Sequence, residues 1–193
     1  RPQGSFKKSR ELEIFKSSKV CLDQLYEFVT KQKGEKTKDF IQSYFAFLKH
    51  LTSLDLRISH WNTIRNQLRE QCQAQACDFQ DDALILHLIY AEHGYYPTQK
   101  ATSLNLCDHI VIDEAQDFGV VEIKALLNAL DYDRTVTIVG DAAQKIVMGR
   151  DFNSWHDLLS DAGFAKTIPI ELNVSHRSTS EIMEIASHLR QPE

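Results

Sequence analysis

Between residue 11 and about residue 75 the apolar positions return at steps of three and four. They run through Leu22, Leu25, Tyr26, Phe28 and Val29, then Phe40, Ile41, Tyr44, Phe45, Phe47, Leu48 and Leu51. That period belongs to amphipathic helices. Gly34, inside the polar run 31–36, predicts a helix break, and a third helix fits residues 58–72 through Trp61, Ile64 and Leu68. Nothing here predicts a strand. The aromatics Phe40, Tyr44, Phe45, Phe47 and Trp61 lie at core spacing, which assigns them to packing.

After Asp78 the texture changes. Residues 81–90 read as a helix with Asp81 and Asp82 at its positive N-terminus, ended by Gly94-Tyr95-Tyr96-Pro97. Three short apolar, β-branched runs follow at 109–112, 135–139 and 167–172, with a helical stretch at 120–130 between the first two. A strand, a helix of about ten residues and a second strand predict a crossover between parallel strands, and continuous apolar runs suit strands buried on both faces. From about residue 100 onward the pattern is doubly wound α/β.

Composition adds a class and a division. A chain of 193 residues, 42% hydrophobic and 25% charged, has enough apolar residues to build a core, which excludes intrinsic disorder and fibrous repeats. Its net charge of −5 hides a split: residues 1–80 carry 14 Lys+Arg against 9 Asp+Glu, residues 81–193 carry 8 against 18. The halves are about +5 and −10, as expected of units with different partners or of two solvated surfaces. Lys31, Lys33, Lys36 and Lys38 alternate with Gln32, Glu35 and Asp39, which fits either a solvated helix face or contacts to nucleic-acid phosphates. The four cysteines have neither finger spacing nor a signal-like start before them, and no apolar run approaches 18 residues. The expectation is a cytoplasmic, non-membrane protein with reduced cysteines.

The chemistry concentrates at the ends of the apolar runs. Ile110-Val111-Ile112 leads straight into Asp113-Glu114-Ala115-Gln116-Asp117. In an open parallel sheet ligands bind at the carboxyl ends of strands, so the acid pair projects into the expected crevice. One carboxylate can hold a hydrated Mg²⁺ while the other polarises a water, two tasks of nucleotide hydrolysis. The bland alternative is a turn that caps the next helix. The second run ends in Gly140-Asp141-Ala142-Ala143-Gln144. There Gly140 permits an unusual backbone angle or close ligand approach, and the Gln144 amide can report on a phosphate. The third leads to Arg177, before a helix capped by Ser178 or Thr179 with Glu181 behind. Arg177 either pairs with a surface acid or stabilises phosphate charge.

In this order the three stretches resemble the UvrD/Rep-like superfamily 1 helicases. Residues 113–117 look like motif II (Walker B), 139–146 like motif III and 172–179 like motif IV. The resemblance implies a RecA-like parallel sheet flanked by helices and an ATP-driven, Mg²⁺-dependent motor on single-stranded or partly duplex DNA. By it, Asp113 serves Mg²⁺ and Glu114 activates water. Gln144 and Arg177 contact the γ-phosphate, with Gln116 and Asp141 as supporting ATP-site residues. Residues 1–78 then match a helical insertion-like domain and 79–193 part of the first motor domain.

Two departures shape the expectation. The pattern G-x-x-x-x-G-K-[ST] is absent, Gly34-Glu35-Lys36-Thr37 being the nearest approach. The chain also starts without Met and stops at Gln191-Pro192-Glu193, so it reads as a piece of a larger motor, inactive on its own. After Gln144 the family's Tyr and Trp-Arg are replaced by Ile146-Val147-Met148-Gly149-Arg150, leaving Phe152 and Trp155 as displaced stacking aromatics. With Val174-Ser175-His176-Arg177-Ser178-Thr179, this tail is similar to the HelD-type branch, which implies RNA polymerase or another protein as the alternative partner.

Overall fold

The computed structural model describes residues 9–32, 39–96, 107–141, 144, 154–172, 174 and 176–189. Five helices precede the first strand among them: α1 (Arg10–Lys16), α2 (Lys19–Lys31), α3 (Phe40–Ser53), α4 (Trp61–Ala74) and α5 (Asp81–His93). Their starts are set locally. The Ser18 hydroxyl accepts from the Cys21 N–H at 3.3 Å, and the Asp39 carboxylate accepts from the Ile41 and Gln42 N–H groups at 3.1 Å, satisfying donors that a helix start leaves open. Gly94 ends α5 at φ 77°, a left-handed angle that glycine adopts without a Cβ penalty. The expected break at Gly34 falls outside the described residues.

The apolar period becomes burial. Leu12, Leu22, Leu25, Tyr44, Phe47, Leu48, Leu51, Leu68, Leu84 and Leu88 are fully or almost fully buried in one cluster of α1–α5, with Phe45 and Trp61 beside them. Burying each such side chain contributes about 1.5–3 kcal/mol. The aromatics expected to pack therefore do so, and Phe40 lies edge-on to His93 at 5.4 Å. Helix α5, which follows the change in sequence texture at residue 78, is part of the same cluster.

A buried polar network crosses the bundle. Lys16 Nζ bonds the Asp81 carboxylate and donates to Gln71 Oε1 at 2.6 Å, while Tyr44 Oη donates to Asp81 Oδ1 at 2.8 Å. Gln71 Nε2 and the Asp78 N–H donate to Asp81 Oδ2 at 2.8 and 3.0 Å. Asp81 is thus more than a helix N-terminal acid. It is the hub that joins α1, α3, α4 and α5. Burial, reinforced by Asp81, holds the Tyr44 hydroxyl well above its ordinary pKa, and burial pushes the Cys21 thiol up to about 12. No disulfide joins any of the four cysteines.

The second part is α/β. Strand β1 (Cys107–Ile112), helix α6 (Val120–Leu127) and strand β2 (Leu130–Ile138) follow in order, and the strands pair in parallel, Ile110 opposite Val136 and Ile112 opposite Ile138. Helix α6 ends earlier than the apolar run suggests because Leu130 already belongs to β2. Helix α7 (Trp155–Ala162) packs Leu158 onto the sheet side of α6. The sequence pattern did not single it out, although Ser154 caps it through the Asp157 N–H at 3.1 Å and Gly163 closes it.

Two expectations are corrected. The strands are not buried on both faces: Ile110, Ile112, Val136 and Ile138 face α6 and α7, whereas His109, Thr135 and Thr137 are exposed and Val111 is 63% exposed. Helices cover one side of the sheet only, among the described residues. The third apolar run is no strand either. Residues 167–172 have no ladder partner among the described residues, and Ile168 and Ile170 are 86% and 90% exposed. β-branched composition supplies propensity, but a strand exists only where a neighbour accepts its hydrogen bonds. The helix α8 (Ser180–Leu189) that follows is exposed along its described side chains. What stands is a helix-rich α/β fold with a two-stranded parallel sheet. No helix among the described residues is long and apolar enough to cross a membrane.

Helix α6 links the two parts. Val120 and Val121 lie in the helical cluster, and Ile123 lies in the cluster under the sheet. On the bundle side His87 Nε2 donates to the Val121 carbonyl at 2.8 Å, which fixes the tautomer and leaves Nδ1 to accept from Tyr26 Oη at 3.0 Å. Tyr96 Oη donates to the Ala125 carbonyl at 2.7 Å.

Candidate functional site

Backbone bonds hold the two strand ends together beyond the paired residues. The Val139 N–H donates to the Ile112 carbonyl and the Ala115 N–H to the Val139 carbonyl, both at 2.9 Å. This stitch stops β1 at Ile112 and places Asp113 and Glu114 outside it, both exposed at the carboxyl edge of the sheet. Glu114 turns the chain through φ 51°, ψ 45° into a 3-10 turn at Ala115–Asp117. A left-handed conformation in a residue with a Cβ costs about 1–2 kcal/mol, and such strain persists where surrounding structure fixes it. Here the Asp117 N–H donates to the Glu114 carbonyl at 2.9 Å, and the Glu114 N–H donates to Asp113 Oδ1 at 2.9 Å.

The bland reading of Asp113-Glu114 as a cap for the next helix does not describe the geometry. Helix α6 is capped by its own Glu122, whose carboxylate accepts from the Gly119 N–H at 3.1 Å. Neither acid's side chain caps α6, although the pair does open a turn, with Glu114 leading into the 3-10 turn and Asp113 Oδ1 accepting from the Glu114 N–H.

Gln116 is 2% exposed and joins the two strand ends through its side chain. Its Nε2 donates to Glu114 Oε2 at 2.6 Å and its Oε1 accepts from the Asp141 N–H at 2.9 Å. Asp141 Oδ2 accepts from Gln144 Nε2 at 2.9 Å, and the Gln144 N–H donates to the Asp141 carbonyl at 2.9 Å. Glu114, Gln116, Asp141 and Gln144 are thereby one hydrogen-bonded chain, with Asp113 adjacent. Gly140 is needed for a reason the sequence left open. A Cβ there would lie 2.3 Å from Gln116 Oε1 and 2.9 Å from the Ala115 nitrogen, so what approaches it is the loop after β1.

Arg177 is not brought to this group. It is exposed and makes no hydrogen bond or ion pair among the described residues. Of the displaced aromatics, Phe152 lies outside the described residues, and Trp155 packs half-buried against the cluster of Ile112, Ile123 and Leu158. The loop after the 3-10 turn adds a contact that local sequence does not signal. A Cβ on Gly119 would meet the Ser17 Cβ at 3.1 Å, so this loop leans on the junction of α1 and α2.

The donor set fits a phosphate-bound Mg²⁺. That ion takes one or two protein carboxylates and completes its octahedron with water and phosphate oxygens, and Asp113 offers an exposed carboxylate at the strand end. Among the described residues no group of three or more His, Cys, Asp or Glu side chains is placed to hold a metal ion.

The family model for an AAA domain matches residues 50–150, a stretch that includes α4, α5, both strands and every residue of the joined strand ends. No curated protein and no solved structure matches the chain.

Proposed function

Because the chain belongs to the AAA-domain family, a P-loop NTPase-like family found in UvrD/Rep-type helicases, we propose that it carries the hydrolysis edge of an ATP-driven motor that moves on single-stranded DNA. The observation that carries this reading is the joining of Asp113-Glu114 to Asp141 and Gln144 through Gln116 at the carboxyl edge of a parallel sheet. The phosphate-binding loop, absent from these residues, is supplied from outside them.

Each residue then has a task. Asp113 holds Mg²⁺, which when bound neutralises phosphate charge. Glu114 accepts the proton of the attacking water through a carboxylate oxygen at the exposed edge. Gln144 meets the terminal phosphate through its amide, a neutral donor that follows phosphate position without adding charge. Asp141 fixes Gln144, and Gln116 supports Glu114. Arg177 contributes positive charge to the phosphate only after approaching the strand ends.

A second reading is favoured by Trp155. An aromatic half-buried against the cluster under the sheet offers less of its face to a base, which supports an ATP-driven factor acting on RNA polymerase over a strong DNA translocase. One experiment separates them: ATP turnover of the protein carrying this chain and its phosphate loop, with single-stranded DNA or RNA polymerase added in turn. Stimulation by DNA supports the helicase reading, and a response to polymerase alone supports the second. Absence of Mg²⁺-dependent ATP turnover under all conditions overturns both.

A further inference from the structure

Helix α8 is exposed along every described side chain, including Ile182, Met183 and Ile185. A helix of about three turns draws most of its stability from packing an apolar face, so one whose face lies open calls for a surface that receives it. At the helical period Ile182, Ile185 and Ala186 share one stripe, and Glu181 and Glu184 flank it on one side. The matching surface is an apolar groove with cations along it. Helices α3 and α4 form such a groove, of about 460 Å³, lined in part by Phe45, Ala46, Cys72, Lys49 and Arg69. Phe45 is buried and Cys72 half-buried, whereas both cations are exposed. Neither cation meets a carboxylate among the described residues, and Arg69 Nη1 donates to the neutral Asn66 Oδ1 at 3.3 Å. Helix α3 contains no acid, and the one acid of α4, Glu70, does not line the groove.

We propose that the α3–α4 groove receives α8 of a second copy of this chain, giving a two-fold dimer in which each copy supplies one helix and one groove. Glu181 and Glu184 then face Lys49 and Arg69, while Ile182 and Ile185 cover the apolar lining. A second copy is the occupant because both halves of the match, in charge and in apolar surface, lie on this one chain, and a two-fold axis makes the contact twice. Nucleic-acid phosphates would also meet the cations, but they leave the apolar lining uncovered. The contact involves none of the strand-end residues, so it stands or falls apart from nucleotide hydrolysis.

The test is sedimentation of the full chain over a concentration series. It compares the unaltered chain with Lys49→Glu plus Arg69→Glu and with Glu181→Lys plus Glu184→Lys. All four positions are exposed, so the reversals leave the core untouched. The unaltered chain should dimerise, and each reversed chain should associate at least about tenfold more weakly, because both contacts of its dimer place like charges together. An equimolar mixture of the two reversed chains should recover the unaltered affinity to within about threefold, since every groove then meets a helix of opposite charge. An unaltered chain that stays monomeric up to about 1 mM overturns the proposal, and this includes the case in which α8 seats within its own chain. Dimers indifferent to the reversals, or weakened with no recovery on mixing, overturn it too. So does a groove reversal that weakens binding of a single-stranded oligothymidylate and leaves the dimer unchanged, a result that gives the groove to nucleic acid. Should the variants fail to fold, the unaltered chain still decides. Raising the salt from about 0.05 to about 0.5 M should weaken its dimer several-fold, and a dimer insensitive to salt contradicts the charge match.

Discussion

Gly140 and His87 place the most demanding constraints on single residues. At Gly140 any side chain must displace Gln116 Oε1 and the Ala115 backbone, and backbone cannot yield cheaply. Gly140→Ala should therefore lower stability by about 1–3 kcal/mol, readable as a shifted denaturant midpoint. A midpoint equal to wild type would mean that the strand ends are not in contact. Burial pulls the His87 pKa from 6.5 down to about 4, the bond to the Val121 carbonyl opposing it in part. The folded state thus resists protonation that the unfolded chain accepts, so stability from this group is intact above pH 6.5 and falls as pH drops toward 4. At most about 3 kcal/mol is at stake. His87→Gln should flatten that part of the stability profile, and an unchanged slope would place His87 in water. Neither constraint was legible in advance. The sequence marks Gly140 as permissive without saying what approaches it, and His87 sits in an apolar run with no sign of its partners on α2 and α6.

Among the elements, those defined by their own sequence were legible and those defined by a distant partner were not. Helices α2 to α4 follow from three- and four-residue spacing because that spacing is their buried face, whereas α5 follows from its acidic start and its stop at Gly94. Strands β1 and β2 follow because each run is apolar and each finds the other. The run at 167–172 has the same composition and no partner among the described residues, where it is irregular and exposed. The network of Lys16, Gln71 and Asp81 was invisible for a related reason, its members lying 55 and 65 residues apart. Asp81→Ala strands a buried ammonium and should cost about 3–5 kcal/mol. Lys16→Met combined with Asp81→Asn should cost less than Asp81→Ala alone. Additive losses in a double-mutant cycle would contradict the buried pair.

At the scale of the molecule, α6 makes the helical bundle and the sheet answer to one another. Val121 is buried in the bundle cluster while Ile123, two residues on, is buried under the sheet. Val121→Ala should accordingly raise amide exchange in both α5 and β2, whereas an effect confined to the bundle would show that the two parts fold separately. The order of the candidate site, an acid pair and then Gly-Asp with a glutamine, was legible because each motif ends an apolar run. Its joining through Gln116 was not, since hydrogen bonds across strand ends leave no pattern along the chain. Arg177 remains outside the group. The central claim is that the joined strand ends hydrolyse nucleotide with Glu114 as base. Its most direct measurement is ATP binding and turnover by Glu114→Gln in the protein with its phosphate loop. The account predicts turnover lower by roughly 10²- to 10⁴-fold with ATP affinity nearly unchanged, because a base is lost and not a phosphate contact. Wild-type turnover in that variant would contradict it.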